Sequence, residues 1–294
     1  MSAPATTVAA VSPARAIDFL ELTKPRITFL VLVTTAVGYL LGARGSFDAA
    51  VFAALLAGTA FVSGGASTLN QYWEREVDGQ MRRTRTRPLP SGRVAPGDAL
   101  AFGLFLSAAG LGLLATINGL TYFLGIAALA SYVVVYTPLK RVTSLCTIVG
   151  AVPGALPPLM GWVAARNALE IGGWALFAVL FLWQLPHFLA IGWIYREDYA
   201  RGGFPMLTVT DPDGRTTAGQ MILYCAALVP VTLLAGNLAH TGVAYLWGAT
   251  LLGLAFLAGS MRFARTKSIS AARVLFAISV IYLPVLLALM VWDR

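Results

Sequence analysis

The sequence predicts an all-α integral membrane protein, a bundle of nine transmembrane helices with a cytoplasmic N-terminus and an outside C-terminus. Three observations carry this. The chain is 58% hydrophobic and only 12% charged, where an ordinary soluble domain carries roughly 25% charge. Nine stretches are long and apolar enough to span the hydrocarbon, which takes about 20 residues as a helix. The Lys and Arg residues between those stretches alternate sharply from side to side. Lipid as solvent explains a chain with too little polar surface to face water. The net charge of +8 follows the loops rather than one patch, so it points to membrane topology and anionic ligands, with no nucleic acid.

The stretches lie near 27–43, 49–70, 99–117, 120–137, 144–164, 171–194, 218–236, 241–260 and 273–292. The first is short but wholly uncharged. Pro153, Pro157 and Pro158 fall inside the fifth, which membrane helices tolerate because neighbours satisfy the freed carbonyls. Residues 1–16 are rich in Ala, Thr, Ser and Pro and are expected to form a disordered tail, leaving 17–294 as a single transmembrane domain. No basic start precedes an apolar core there, so the first span is a retained helix rather than a secretory signal. Without a long Arg- and Ser-rich presequence, a bacterial cell inner membrane is the expected location.

Placing the N-terminus inside puts 18 of the 21 Lys and Arg residues on the cytoplasmic face and leaves Arg44, Arg166 and Arg294 on the other. The positive-inside rule thus supports this orientation and an odd number of spans. Ten of the 13 acids fall on the same face, which the rule does not demand. Carboxylates and cations gathered at one mouth of a bundle suggest a polar site. Cys146 and Cys225 sit in apolar runs, far from any partner, and read as packing residues rather than a disulfide or zinc site.

The richest cluster extends the second span. Asn70, Glu74, Asp78 and Arg82 recur every four residues. At 100° per residue each is turned only about 40° from the last, so they form one stripe. Glu74 and Asp78 repel at that spacing and need a cation. Arg82 and Arg83 are one candidate. A divalent metal bridging the acids to a ligand's phosphates is the other: Mg²⁺ takes one or two carboxylates with water and phosphate completing its shell, and arginines grip phosphate bidentately. A diphosphate with an apolar tail fits such a site at a membrane edge.

Three further features accompany it. Lys140 and Arg141 form a cationic turn between the fourth and fifth spans, serving either as a topology anchor or as ligand contacts. Tyr195-Arg196-Glu197-Asp198-Tyr199 ends the sixth span on the same face. Within that span lies His187, three residues from Gln184 and so on a shared face. An ionisable group at such depth is costly and often functional, though a lone His is commonly a packing residue.

Taken together, these motifs resemble the UbiA superfamily of intramembrane prenyltransferases. The residues that carry the likeness are Lys24-Pro25-Arg26, Asn70-x3-Glu74-x3-Asp78, Arg82-Arg83-Thr84-x-x-Arg87-Pro-Leu-Pro, Tyr136-Thr-x-x-Leu-Lys140-Arg141, Trp183-Gln-x-Pro-His187-Phe and Tyr195-Arg-x-Asp198-Tyr199. They span about residues 20–290, and the Arg-Pro-Leu-Pro and Pro-His-Phe runs resemble the branch that farnesylates haem. The resemblance implies nine helices around a central cavity and transfer of farnesyl from farnesyl diphosphate to a vinyl group of haem B, giving haem O and diphosphate. It implies Mg²⁺ on Asn70, Glu74 and Asp78, with Asp198 as a further catalytic acid. Diphosphate contacts would come from Lys24, Arg26, Arg82, Arg83, Lys140, Arg141 and Arg196, and haem contact from His187. Two departures stand out: Glu74 replaces the usual middle Asp, and Gly202 stands where a second Asp would follow Asp198. Asp198 is left to bind one metal, to hold Lys140 or Arg196, or both. Rival readings are a quinone-precursor or tetrapyrrole prenyltransferase and a transporter. A haem A synthase is a candidate partner.

Overall fold

The structure, a computed structural model, describes residues 15–294. The expected tail over 1–16 lies outside the described residues except for Arg15 and Ala16, and Ala16 already opens a helix. That helix, α1 (Ala16–Leu22), precedes α2 (Pro25–Ala43), α3 (Ala49–Asp78), α4 (Pro96–Ala115) and α5 (Gly119–Leu139). Then come α6 (Cys146–Arg166), α7 (Ile171–Ile194), the short α8 (Arg196–Arg201) and α9 (Leu207–Thr210), and α10 (Arg215–Leu238), α11 (Val243–Thr266) and α12 (Ile269–Trp292). Among the described residues nine of these helices are long and apolar enough to cross a membrane, one for each expected stretch.

Local chemistry sets the helix starts. Pro25 and Pro96 open α2 and α4, where the missing N–H is no loss. Asp48 caps α3, its carboxylate accepting from the Ala50 and Val51 N–H groups at 2.9 and 3.1 Å. Asn118 and Ser268 cap α5 and α12 in the same way.

The bundle is arranged around α6, which packs on α2, α5 and α7. Its apolar window is 72% buried against 17% for α5, which accounts for its composition. Where α2 crosses α6, a Cβ at Gly161 would run into the Thr35 carbonyl oxygen and one at Gly38 into that of Pro158. In lipid there is no hydrophobic gain from pairing helices, so close backbone approach through small residues supplies the contact. The first half, α2–α5, packs in chain order; α7 gathers α10 and α12, and α12 returns to meet α2. Cys146 and Cys225 are free and buried.

Candidate active site

The stripe on α3 is real and faces inward. Asn70, Glu74 and Asp78 are 1, 5 and 1% exposed. α3 is 30 residues long, about 45 Å at 1.5 Å per residue, so its last turns reach beyond the apolar layer. The acids thereby stand at the bundle mouth while remaining covered by neighbouring segments.

Each stripe residue meets a different element. Lys24 Nζ donates to Asn70 Oδ1 at 3.2 Å, and Asn70 Nδ2 donates to Thr137 Oγ1 at 3.1 Å. Lys140 Nζ lies 2.5 Å from Glu74 Oε1. Arg87 Nη1 donates to Asp78 Oδ2 at 2.7 Å. Among the described residues the other Asp78 oxygen, Oδ1, is buried without a hydrogen-bond partner, while Glu74 Oε1 is paired with the Lys140 ammonium. An unpartnered buried carboxylate oxygen is expensive, so Asp78 Oδ1 marks a place prepared for a further ligand.

The cations are crowded too. Lys24 holds a left-handed backbone, φ 49°, strain that a residue before proline seldom adopts and that accumulates at functional sites. Burial first, then Arg87 and Lys140, push its ammonium down to about 7, against the pull of Glu74 and Asp78. Lys140 sits over the Tyr136 and Phe204 rings at 4.8 and 5.7 Å. Its turn is aimed by a π-helical stretch, Ser131–Tyr136, inside α5. The wider turn there brings Thr137 and Lys140 to α3, where they meet Asn70 and Glu74.

Asp198 comes to the site in an unexpected role. Its Oδ1 and Oδ2 accept from the backbone N–H groups of Arg82 and Arg83 at 3.3 and 3.2 Å. Arg201 adds an ion pair. No ion pair to Lys140 or Arg196 exists among the described residues. Burial raises its pKa, but Arg201 and the two loop N–H groups outweigh that and hold the carboxyl below the usual range. Both oxygens are occupied, so α8 anchors the arginine loop.

Of the two candidates for balancing the α3 acids, Arg82 and Arg83 do not reach them: both are exposed, and Arg87 and Lys140 pair with Asp78 and Glu74 instead. Arg83 lies over the Tyr195 and Tyr199 rings at 5.3 and 5.7 Å. The helix ends at Asp78, and the following turns carry Arg87 back instead. Arg26 and Arg141 are exposed and make no ion pair among the described residues, and Arg196 stacks over Trp193 at 4.8 Å. These sit at the rim rather than in the cluster. Arg87 and Thr137 were not singled out for these roles by spacing; Arg87 belongs to the Arg-rich run, while Thr137 carried no signal.

His187 and Gln184 do not serve one neighbour. Gln184 Nε2 donates to Ala151 O on α6 at 2.7 Å, while His187 Nδ1 meets Ser279 Oγ on α12 at 2.7 Å. A hollow of about 610 Å³ lined by Leu233, Asn237, His240 and Thr241 lies at the other end of the bundle, without an acid. No cluster of three or more His, Cys, Asp or Glu suited to a metal occurs among the described residues. Two carboxylates and an amide oxygen, with Asp78 Oδ1 unpartnered among the described residues, still fit a Mg²⁺ whose remaining shell is water and phosphate.

Residues 31–283 match the model of the UbiA prenyltransferase family. The chain belongs to that family. This UbiA chain is 47% identical over 287 residues to a protoheme IX farnesyltransferase of Solibacter usitatus, covering 94% of this chain and 98% of that relative. It is 48% identical over 286 residues to the protein of the same name from Myxococcus xanthus, covering 96% of each. In fold it is similar to a digeranylgeranylglyceryl phosphate synthase structure, TM-score 0.80 at 17% identity, covering 94 and 97% of the two chains. It is also similar to a UbiA homologue of Archaeoglobus fulgidus bound to GPP and Mg²⁺, TM-score 0.64 at 16% identity, covering 93 and 99%. Family membership sets the transporter reading aside and makes this UbiA chain a multi-pass membrane prenyltransferase.

Proposed function

We propose that this chain transfers the farnesyl group of farnesyl diphosphate to a vinyl group of haem B, giving haem O and diphosphate, a step toward haem A. The acceptor and donor follow the names of the near full-length relatives. The observation that carries the chemistry is Asp78, one oxygen tied to Arg87 and the other buried and unpartnered among the described residues.

Asn70, Glu74 and Asp78 would hold the divalent cation, Mg²⁺ by its hard-oxygen preference. When bound, it supplies neutralisation of charge on diphosphate oxygens. Lys24, Lys140 and Arg87 surround the same point and would take up the charge that develops as the farnesyl C1–O bond breaks and its electron pair leaves with diphosphate. Such fixed charges act most strongly where water is scarce. Arg82 and Arg83, held by Asp198, would guide the diphosphate in, with Arg26, Arg141 and Arg196 as an outer cationic rim. The prenyl tail would lie among the apolar helices, which shield the allylic cation from water until the vinyl carbon attacks. Water then adds to the resulting cation and loses a proton, giving the hydroxyethylfarnesyl group. His187 is the proposed contact to haem.

The one-sided charge supports a cytoplasmic diphosphate face in a bacterial inner membrane, with product left in the lipid bilayer for a haem A synthase. The test is product mass. Membranes carrying the chain, given haem B, farnesyl diphosphate and Mg²⁺, should yield haem O, and a chelator should stop the reaction until Mg²⁺ is restored. Prenylation of another acceptor with no haem O formed would replace the haem reading by one of its sister activities.

A further inference from the structure

The surroundings of His187 determine which ring nitrogen carries hydrogen. Ser279 is fully buried. Its Oγ lies 2.6 Å from the Phe276 carbonyl oxygen and 2.7 Å from His187 Nδ1. The carbonyl has no proton to give, so the hydroxyl's single proton goes to it. Toward His187 the hydroxyl can then only accept, and Nδ1 must carry the hydrogen. The reverse assignment would leave two oxygens facing each other at 2.6 Å with no proton between them. No acid pairs with the ring among the described residues, so a second ring proton has nothing to hold it in an apolar span.

Two aromatic rings also pack against the imidazole. Trp183 stacks on it with centroids 5.0 Å apart and planes at 24°, and Phe276 lies 5.0 Å away at 32°. Trp183 Nε1 donates to the backbone carbonyl of Ser279 at 2.9 Å, so the same residue of α12 fixes the stacking partner and the imidazole. Nε2 has no hydrogen-bond partner among the described residues. His187 lies seven residues before the end of α7, about 10 Å along the helix, at the end of the bundle that holds the acids.

We propose that Ser279 is a positioning residue that fixes His187 as its Nδ1–H tautomer and presents Nε2 as a free lone pair to the iron of the haem acceptor. This rests on the haem reading above. Hydrogen bonding at the remote nitrogen orients an imidazole and raises the basicity of the ligating one. The porphyrin would thereby be held at a set depth and tilt, so that its vinyl edge, rather than its iron, meets the prenyl cation.

The test is spectroscopic and needs no turnover. Full-length protein in detergent is loaded with ferrous haem B, and the iron–imidazole stretch is read by resonance Raman. The parent should show that band and His187→Ala should lose it. Ser279→Ala should keep a band at lower frequency and bind haem about tenfold more weakly, the low end of such outer partners. Ser279→Cys, nearly isosteric with a poor acceptor, should shift the same way and serves if the alanine variant does not fold. Parent-like frequency and affinity in the folded Ser279 variant would overturn the proposal while leaving His187 as ligand. An unchanged band in His187→Ala would remove the ligand itself, and the proposal with it. Haem O formation by the parent reports separately on the haem reading.

Discussion

Arg87 Nη1 donates to Asp78 Oδ2 at 2.7 Å and leaves Oδ1 of the same carboxylate buried and unpartnered among the described residues. The pair joins the last residue of α3 to the middle of the arginine run. It neutralises one acid without closing the site, because a second oxygen stays available to a cation.

Asp78→Ala should abolish farnesyl transfer, a fall of at least about 100-fold as for other groups that stabilise developing charge, with the protein still monodisperse in detergent. Arg87→Ala should be the less stable variant, since it strands a buried acid. Breaking such pairs costs about 3–5 kcal/mol. The double variant should recover much of the lost Tm and none of the activity, a non-additive cycle. Additive Tm losses would show that the two residues are not coupled.

Asp198 should act on substrate affinity rather than on the metal. Asp198→Asn loosens the Arg82–Arg83 loop and should raise KM for farnesyl diphosphate about tenfold, one charge-assisted contact's worth at roughly 1.4 kcal/mol. The Mg²⁺ concentration for half-maximal rate should not move. If it does, Asp198 is a metal ligand. Because its folded pKa is depressed, the anchor's contribution to stability is complete above about pH 4, the unfolded value. It is lost only as pH falls through the lower folded value.

The α2–α6 crossing has no room for a methyl group at Gly161, where the obstacle is the Thr35 backbone. Gly161→Ala should lower Tm in detergent, with overpacking costs of about 1–3 kcal/mol, and should reduce activity by displacing α2 and with it Lys24. Gly97, where an added Cβ meets nothing, is the control and Gly97→Ala should leave Tm unchanged. Equal Tm values for both variants would remove the crossing as a constraint.

Orientation can be read with a thiol reagent that does not cross membranes, because both native cysteines are buried. In intact cells Ser46→Cys, in the exposed turn between α2 and α3, should be labelled. Gly97→Cys should react only after permeabilisation. The opposite pattern would invert the topology.

The sequence alone determined what depends on neighbours along the chain. Span length, the alternation of loop charge and the four-residue stripe Asn70–Glu74–Asp78 are all properties of continuous segments, and each segment forms the helix its composition favours. Tertiary structure decided the pairings. Beyond Asp78 the helix stops, so spacing no longer reports direction, and Arg87 rather than Arg82 or Arg83 returns to the acid. Asp198, more than 100 positions along, turns its carboxylate to two backbone N–H groups, a partner no side-chain pattern records. Ser279, an unremarkable serine in an apolar span, meets His187 across 92 positions. Such contacts arise when separate helices pack in lipid, and the close approach of their backbones decides which polar groups must satisfy one another.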